Sequence, residues 1–171
     1  CEILPFDADI NRIKVFEPVG VVLSGGPATV TETDTPRANR EIFDLDCPVL
    51  GICYGMQTMA AQLGGEVETS KQREYGFSEI RSISTSPLID GLHDRLDADG
   101  TGLLQVWMSH GDRVSTLPDG FRVLAVSENA PMAARGSRVR CIAVYVSSSV
   151  RNSPSVTTPV VTLARSITRS V

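Results

Sequence analysis

Short apolar runs, each closed by turn residues, set the rhythm of the first third of the chain. Glu2 to Phe6, Gly20 to Leu23 and Pro48 to Leu50 read as strands. Between the second and third, Asp34 or Thr35 can cap a helix that starts at Pro36, where a missing N–H costs nothing, and runs on from Arg37 to Phe43. After the third strand, Met56, Met59, Ala60 and Leu63 recur at the i, i+3, i+4, i+7 spacing of one helix face, and Gly64-Gly65 stops the helix. Alternating strands and helices predict an α/β domain with a parallel sheet. Beyond residue 64 the pattern turns to strands around Val67, Phe77 to Ile83, Leu103 to Met108 and Phe121 to Val126, separated by Pro, Gly and Asp.

With 171 residues, 42% of them hydrophobic and 21% charged, there is apolar material for one compact domain. A net charge of −4 gives no sign of a nucleic-acid or membrane-surface partner, either of which favours a basic excess. No apolar run approaches the roughly 18 to 20 residues of a membrane helix, and no signal-peptide pattern opens the chain, so a cytoplasmic protein is expected. Cys1, Cys47, Cys53 and Cys141 are scattered and lack the close pair spacings of zinc sites and disulfide-dense domains, so no metal is expected.

One segment reads as chemistry. Gly51-Ile52-Cys53-Tyr54-Gly55 joins the third strand to the helix, with Cys53 where a strained strand-to-helix turn exposes a nucleophile. At a helix N-terminus the unpaired N–H groups and the dipole favour a thiolate. An isolated cysteine is more often a small buried apolar residue; the flanking glycines turn the balance toward a nucleophile. Leu23-Ser24-Gly25-Gly26-Pro27 ends the second strand with paired glycines, which let a backbone N–H approach a substrate as an oxyanion donor must, although most such loops are only turns.

These two segments, followed by Arg73-Glu74-Tyr75-Gly76-Phe77 and Trp107-Met108-Ser109-His110-Gly111-Asp112, resemble the class I glutamine amidotransferases and, within them, the GMP synthase branch, over residues 1 to 133. The resemblance implies a mostly parallel sheet flanked by helices, a flavodoxin-like three-layer arrangement. It also implies that Cys53 attacks the side-chain amide of glutamine. The backbone N–H groups of Gly26 and Tyr54 then hold the oxyanion, and a γ-glutamyl thioester awaits water. By the same resemblance Gln57 and a loop of Ser109, His110, Gly111 and Asp112 bind the amino and carboxylate ends of glutamine. The plainer readings are an exposed helix residue for Gln57 and a backbone-satisfying loop histidine for His110. His93 has only the plain reading.

In the resembled family the ammonia passes to a synthetase domain or subunit that uses ATP and Mg2+ to activate XMP, and the full-length enzyme is a homodimer. That machinery is not expected in this chain, which should need no cofactor. Nor does a Gln-Phe-His-Pro-Glu segment follow, the family's source of a catalytic His and Glu. All 20 acidic residues precede position 129, and residues 129 to 171 contain no histidine and six arginines. His110 belongs to the substrate motif and is not assigned as the base, so the chain is expected to be inactive or nearly so.

Residues 1–133 are accordingly read as an amidotransferase domain without its first strand and its triad segment. Residues 134–171 are read as an aberrant tail, frameshifted or disordered; out of frame, Ser147 to Pro154 can encode Gln-Phe-x-Pro-Glu-x-Thr. If the tail is natural instead, Cys141 to Val146 and Val156 to Leu163 are apolar enough for edge strands. Two other readings stay open: a catalytically dead glutamine-binding or docking module, and the amidotransferase subunit of another synthase.

Overall fold

A computed structural model describes residues 1–86, 89–127, 134–137, 141–144 and 160–164; for 70–75, 108–110 and the last three of these strands it describes the backbone. The elements run β1 (Glu2–Pro5), α1 (Ile10–Phe16), β2 (Gly20–Leu23), a 3-10 turn (Arg40–Asp44), β3 (Val49–Ile52) and α2 (Tyr54–Gln62). The chain then continues through β4 (Glu66–Ser82), β5 (Arg95–Leu96), β6 (Gly102–Thr116), β7 (Phe121–Val126), β8 (Ala134–Ser137), β9 (Cys141–Val144) and β10 (Val160–Ala164). All the described strands belong to one sheet in the order β1-β10-β2-β3-β9-β8-β7-β4-β6-β5.

The α/β class expected from the alternation is what forms. Parallel pairing lies where β3 is flanked by β2 and β9. The long β4–β6 ladder and its neighbours are antiparallel. Leu4, Val21, Leu23 and Val49 from the strands, Ile10 and Ile13 from α1, and Met56, Met59 and Ala60 from α2 are buried in one continuous core, which reaches Ile80 and Val106.

Helix α1 has no counterpart among the elements expected from periodicity. Its signal is short: the Asp9 carboxylate accepts from the Asn11 N–H at 2.9 Å as an N-cap, Ile10 and Ile13 turn inward, and Glu17 ends the helix at φ 51°. The helix expected from Pro36 to Phe43 is corrected to the 3-10 turn, capped by the Asn39 side chain on the Glu41 N–H at 3.0 Å. Two carbonyls that an α-helix there would spend on its own N–H groups are taken by α2 instead. The Tyr54 hydroxyl donates to the Pro36 carbonyl at 2.6 Å, and Gln62 Nε2 donates to the Ala38 carbonyl at 2.8 Å. Asp34, at φ 60°, also leaves the helical region.

The boundary expected at residue 133 does not coincide with the edge of the sheet. Beyond it, β9 pairs with β3 and β8, and β10 pairs with β1 and β2, so neither is an edge strand. Ser147 to Pro154 lies outside the described residues, as do 145, 146 and 156–159.

Candidate active site

β3 delivers the chain to Cys53 along a buried strand, and α2 leaves from the next residue. The connection has no room for an ordinary turn. Cys53 adopts φ 48° and ψ −110°, a combination that a residue with a β-carbon rarely visits and that costs about 1–3 kcal/mol. Its carbonyl accepts from the Met56 and Gln57 N–H groups, both at 3.0 Å, so the first turn of α2 fixes the strained residue from behind. The side chain does not cap the helix.

The glycines on either side are there because nothing larger fits. A β-carbon on Gly51 would lie 2.8 Å from the Gly55 carbonyl oxygen and from the Met56 N and Cα. One on Gly55 would lie 2.1 Å from the Leu23 carbonyl oxygen. Backbone, not a flexible side chain, sets both limits, so the G-x-C-x-G pattern is a packing requirement: α2 starts against the end of β2, and Cys53 is confined to the strained connection between β3 and α2. Cys53 is half-buried, whereas Cys47 is buried and Cys1 exposed; none of these three forms a disulfide.

The loop after β2 comes to this elbow. A β-carbon on Gly25 would sit 3.5 Å from the Cys53 β-carbon and 3.7 Å from the Ile52 carbonyl oxygen, so the backbone at Gly25 lies against the nucleophile. Gly26 follows directly. Farther along, Arg37 Nη2 donates to the Val30 carbonyl at 2.7 Å, and the two bonds from α2 hold residues 36 and 38.

Gln57 is not the exposed helix residue that the plainer reading supposes. It is 3% exposed, and its Nε2 donates to the Asp112 carbonyl at 3.1 Å, so it ties α2 to β6. Ser109, His110, Gly111 and Asp112, expected on a loop, lie on β6, opposite Tyr75 and Glu74 on one side of Gly111 and Thr69 on the other. The register breaks there: β4 spends residues 70–73 where β6 spends Gly111 alone, so the ladder bulges at the segment the motif marks. The Asp112 side chain is buried, and Gly111 is half-buried.

His93 lies elsewhere. Its side chain packs 3.0–3.5 Å from where a β-carbon on Gly102 would be, and it lines a cavity of about 180 Å³ with Ile80, Ile89, Leu92 and Leu104. Among the described residues no three His, Cys, Asp or Glu side chains gather as metal ligands. The contacts that sequence reasoning missed are the Tyr54 hydroxyl and the Gln62 amide, whose partners are carbonyls at a separation that no local spacing reveals.

A nucleophile elbow between a parallel strand and a helix, with a glycine loop folded against it, defines a class. The chain belongs to the glutamine amidotransferase class-I family, which it matches over residues 1–144. It is 53% identical over 133 residues to the GMP synthase (glutamine-hydrolyzing) of Methylobacillus flagellatus, a match covering 78% of this chain and 25% of that protein. It is 52% identical over 140 residues to the GMP synthase (glutamine-hydrolyzing) of Aromatoleum aromaticum, covering 82% and 27%. The chain thus spans about a quarter of the length of these relatives.

Among solved structures, a GMP synthase subunit from Thermoplasma acidophilum shares the fold, with a TM-score of 0.63 at 24% identity over 82% of this chain and 67% of that one. A glutamine amidotransferase from Thermotoga maritima superposes with a TM-score of 0.51 at 25% identity, over 61% and 41%.

Proposed function

We propose that this chain is the glutamine-hydrolysing portion of a GMP synthase. The observation that carries the reading is the strained Cys53, held between β3 and α2 with the Gly25 backbone against it. Cys53 Sγ attacks the side-chain carbonyl carbon of glutamine, and the N–H groups of Gly26 and Tyr54 receive the oxyanion. Ammonia leaves and a γ-glutamyl thioester remains for water. Gln57 and the Ser109–Asp112 stretch of β6 form the end of the site that takes the amino and carboxylate groups.

The ammonia serves a synthetase domain or subunit that activates XMP with ATP and Mg2+ and aminates it to GMP, within a homodimeric cytoplasmic enzyme. The relatives' names support the link to GMP synthesis, and their greater length leaves room for a synthetase portion. Among the described residues no helix is long and apolar enough to cross a membrane.

Within these 171 residues turnover is very low. β9 runs parallel to β3 and ends with Val144 opposite Ile52, one residue short of Cys53. β9 therefore ends on the elbow's side of the sheet, yet the sequence from 145 to 171 contains no imidazole and no carboxylate side chain. A thiol without a base forms and clears its thioester slowly.

The test is a chloromethyl ketone analogue of glutamine, in which the thiolate displaces chloride to give a thioether. The expected result is one adduct, at Cys53, slowed by glutamine, alongside negligible ammonia release. No adduct at Cys53 overturns the glutamine site, and sustained ammonia release overturns the low turnover.

A further inference from the structure

The two donors expected to hold the oxyanion come from different parts of the chain, Tyr54 at the start of α2 and Gly26 in the loop after β2. Something has to keep them in register. Gly26 sits in a stretch, 24–39, that contains neither helix nor strand, and a segment of that length has many conformations to lose unless specific contacts fix it.

We propose that the Tyr54 hydroxyl is a positioning group that holds the Gly26 loop against the elbow and so sets the geometry of the oxyanion site. The inference rests on the amidotransferase reading above and adds to it a role for a side chain whose backbone was the only part assigned.

Tyr54 is 2% exposed, and its hydroxyl donates to the Pro36 carbonyl at 2.6 Å. Proline has no N–H, so this carbonyl is the only backbone polar group at that position, and the hydroxyl satisfies it. Two residues on, Gln62 Nε2 holds the Ala38 carbonyl at 2.8 Å, and Thr58 Oγ1 donates to Gln62 Oε1 at 3.2 Å, which orients that amide. At the loop's other end, Gly25 lies on Cys53 itself. Between the ends, the Arg37–Val30 bond shortens the free span. The residue that donates one oxyanion N–H through its backbone thus anchors, through its side chain, the loop that carries the other.

A positioning role predicts a loss confined to the chemical step. With the chloromethyl ketone analogue, attack passes through an oxyanion at the ketone, whereas iodoacetamide alkylates Cys53 by direct displacement and needs no oxyanion site. Tyr54→Phe keeps the buried ring and removes only the donor. Its limiting labelling rate by the ketone should fall about tenfold, with the half-saturating concentration and the iodoacetamide rate both within twofold of the parent. Gln62→Leu should show a smaller loss in the same rate, and thermal melts establish that each variant is folded.

A Tyr54→Phe protein that labels at the parental limiting rate overturns the proposal. So does a parallel fall in the iodoacetamide rate, which would mean a general disturbance of the elbow. If the parent reacts with iodoacetamide but not with the ketone, the glutamine site itself is wrong and the positioning role falls with it.

Discussion

The α-carbon of Gly55 faces the backbone of Leu23 so closely that an added β-carbon would lie 2.1 Å from the Leu23 carbonyl oxygen and 2.6 Å from the carbonyl carbon. Leu23 is the last residue of β2, held on both sides by β3 and β10. It cannot retreat. The start of α2 is therefore fixed by contact with a strand, and the elbow's strain is imposed by packing.

Gly55→Ala should consequently cost about 3 kcal/mol or more, since the overlap can be relieved only by moving a strand or a helix. Gly64 offers the control: its φ is 96°, but nothing lies within 4 Å of an added β-carbon. Gly64→Ala should cost only about 1 kcal/mol, from backbone strain alone. Urea unfolding of the two variants distinguishes them, and Gly55→Ala should also slow alkylation of Cys53 while Gly64→Ala leaves it unchanged. Equal destabilisation by both would mean that the Leu23 contact relaxes freely.

Gln57→Ala removes the bond to the Asp112 carbonyl and leaves that carbonyl without this donor beside a cavity, at a cost of about 1–3 kcal/mol. Gln57→Glu is the sharper variant, because it is nearly isosteric and puts a carboxylate oxygen against a carbonyl oxygen. Glutamine affinity by calorimetry should weaken in both, and the Glu variant should regain stability as the pH is lowered and its carboxyl becomes protonated. A Glu variant whose stability follows the parent at every pH would place the Gln57 amide elsewhere.

How much of this was visible in the sequence differs between elements for physical reasons. β2, β3 and α2 are short, strongly patterned and bounded by glycines, so the apolar spacing at Met56, Met59 and Ala60 located the helix and the glycines located the elbow. The stretch from Pro36 to Phe43 misled because cap and first-turn residues are local signals, whereas the hydroxyl and amide that claim its carbonyls come from Tyr54 and Gln62, far along the chain. The Ser109–Asp112 motif stands out by its residue types, but no periodicity could show that it is a strand opposite a four-residue bulge. α1 is only two turns long, and its apolar positions, Ile10 and Ile13, are too few to stand out.

Asp97 should make stability depend on pH. Its carboxyl is held below its ordinary 3.8, first by the Thr101 N–H, then against the opposing effect of desolvation by the Asp99 N–H and the charges of Arg81 and Arg95. Both N–H bonds go to Oδ1 at 2.9 Å, and Arg81 reaches Oδ2 at 3.0 Å. A folded-state value below the unfolded one means that the unfolded chain binds the proton more readily. The contribution is present above 3.8 and is lost as pH falls through the folded value. Asp97→Asn should flatten the acid limb of the melting profile relative to the parent; an unchanged limb would assign the acid sensitivity to other carboxylates.

Phe77 and Trp107 stand directly opposite one another in the β4–β6 ladder, on the face turned away from the core, 65% and 53% exposed. Trp107 is the sole tryptophan, so fluorescence reports on this face alone. Its emission should resemble that of an indole in water and be readily quenched by acrylamide. Phe77→Ala should remove no more than about 1 kcal/mol, the scale of one cross-strand pair. Ile80, three residues along the same strand but pointing inward and buried, provides the contrast: Ile80→Ala should cost about 2–5 kcal/mol. A blue-shifted, protected tryptophan, or a Phe77→Ala loss as large as that of Ile80→Ala, would mean that this face is covered in solution, and dilution of the sample would then show whether a second copy of the chain covers it.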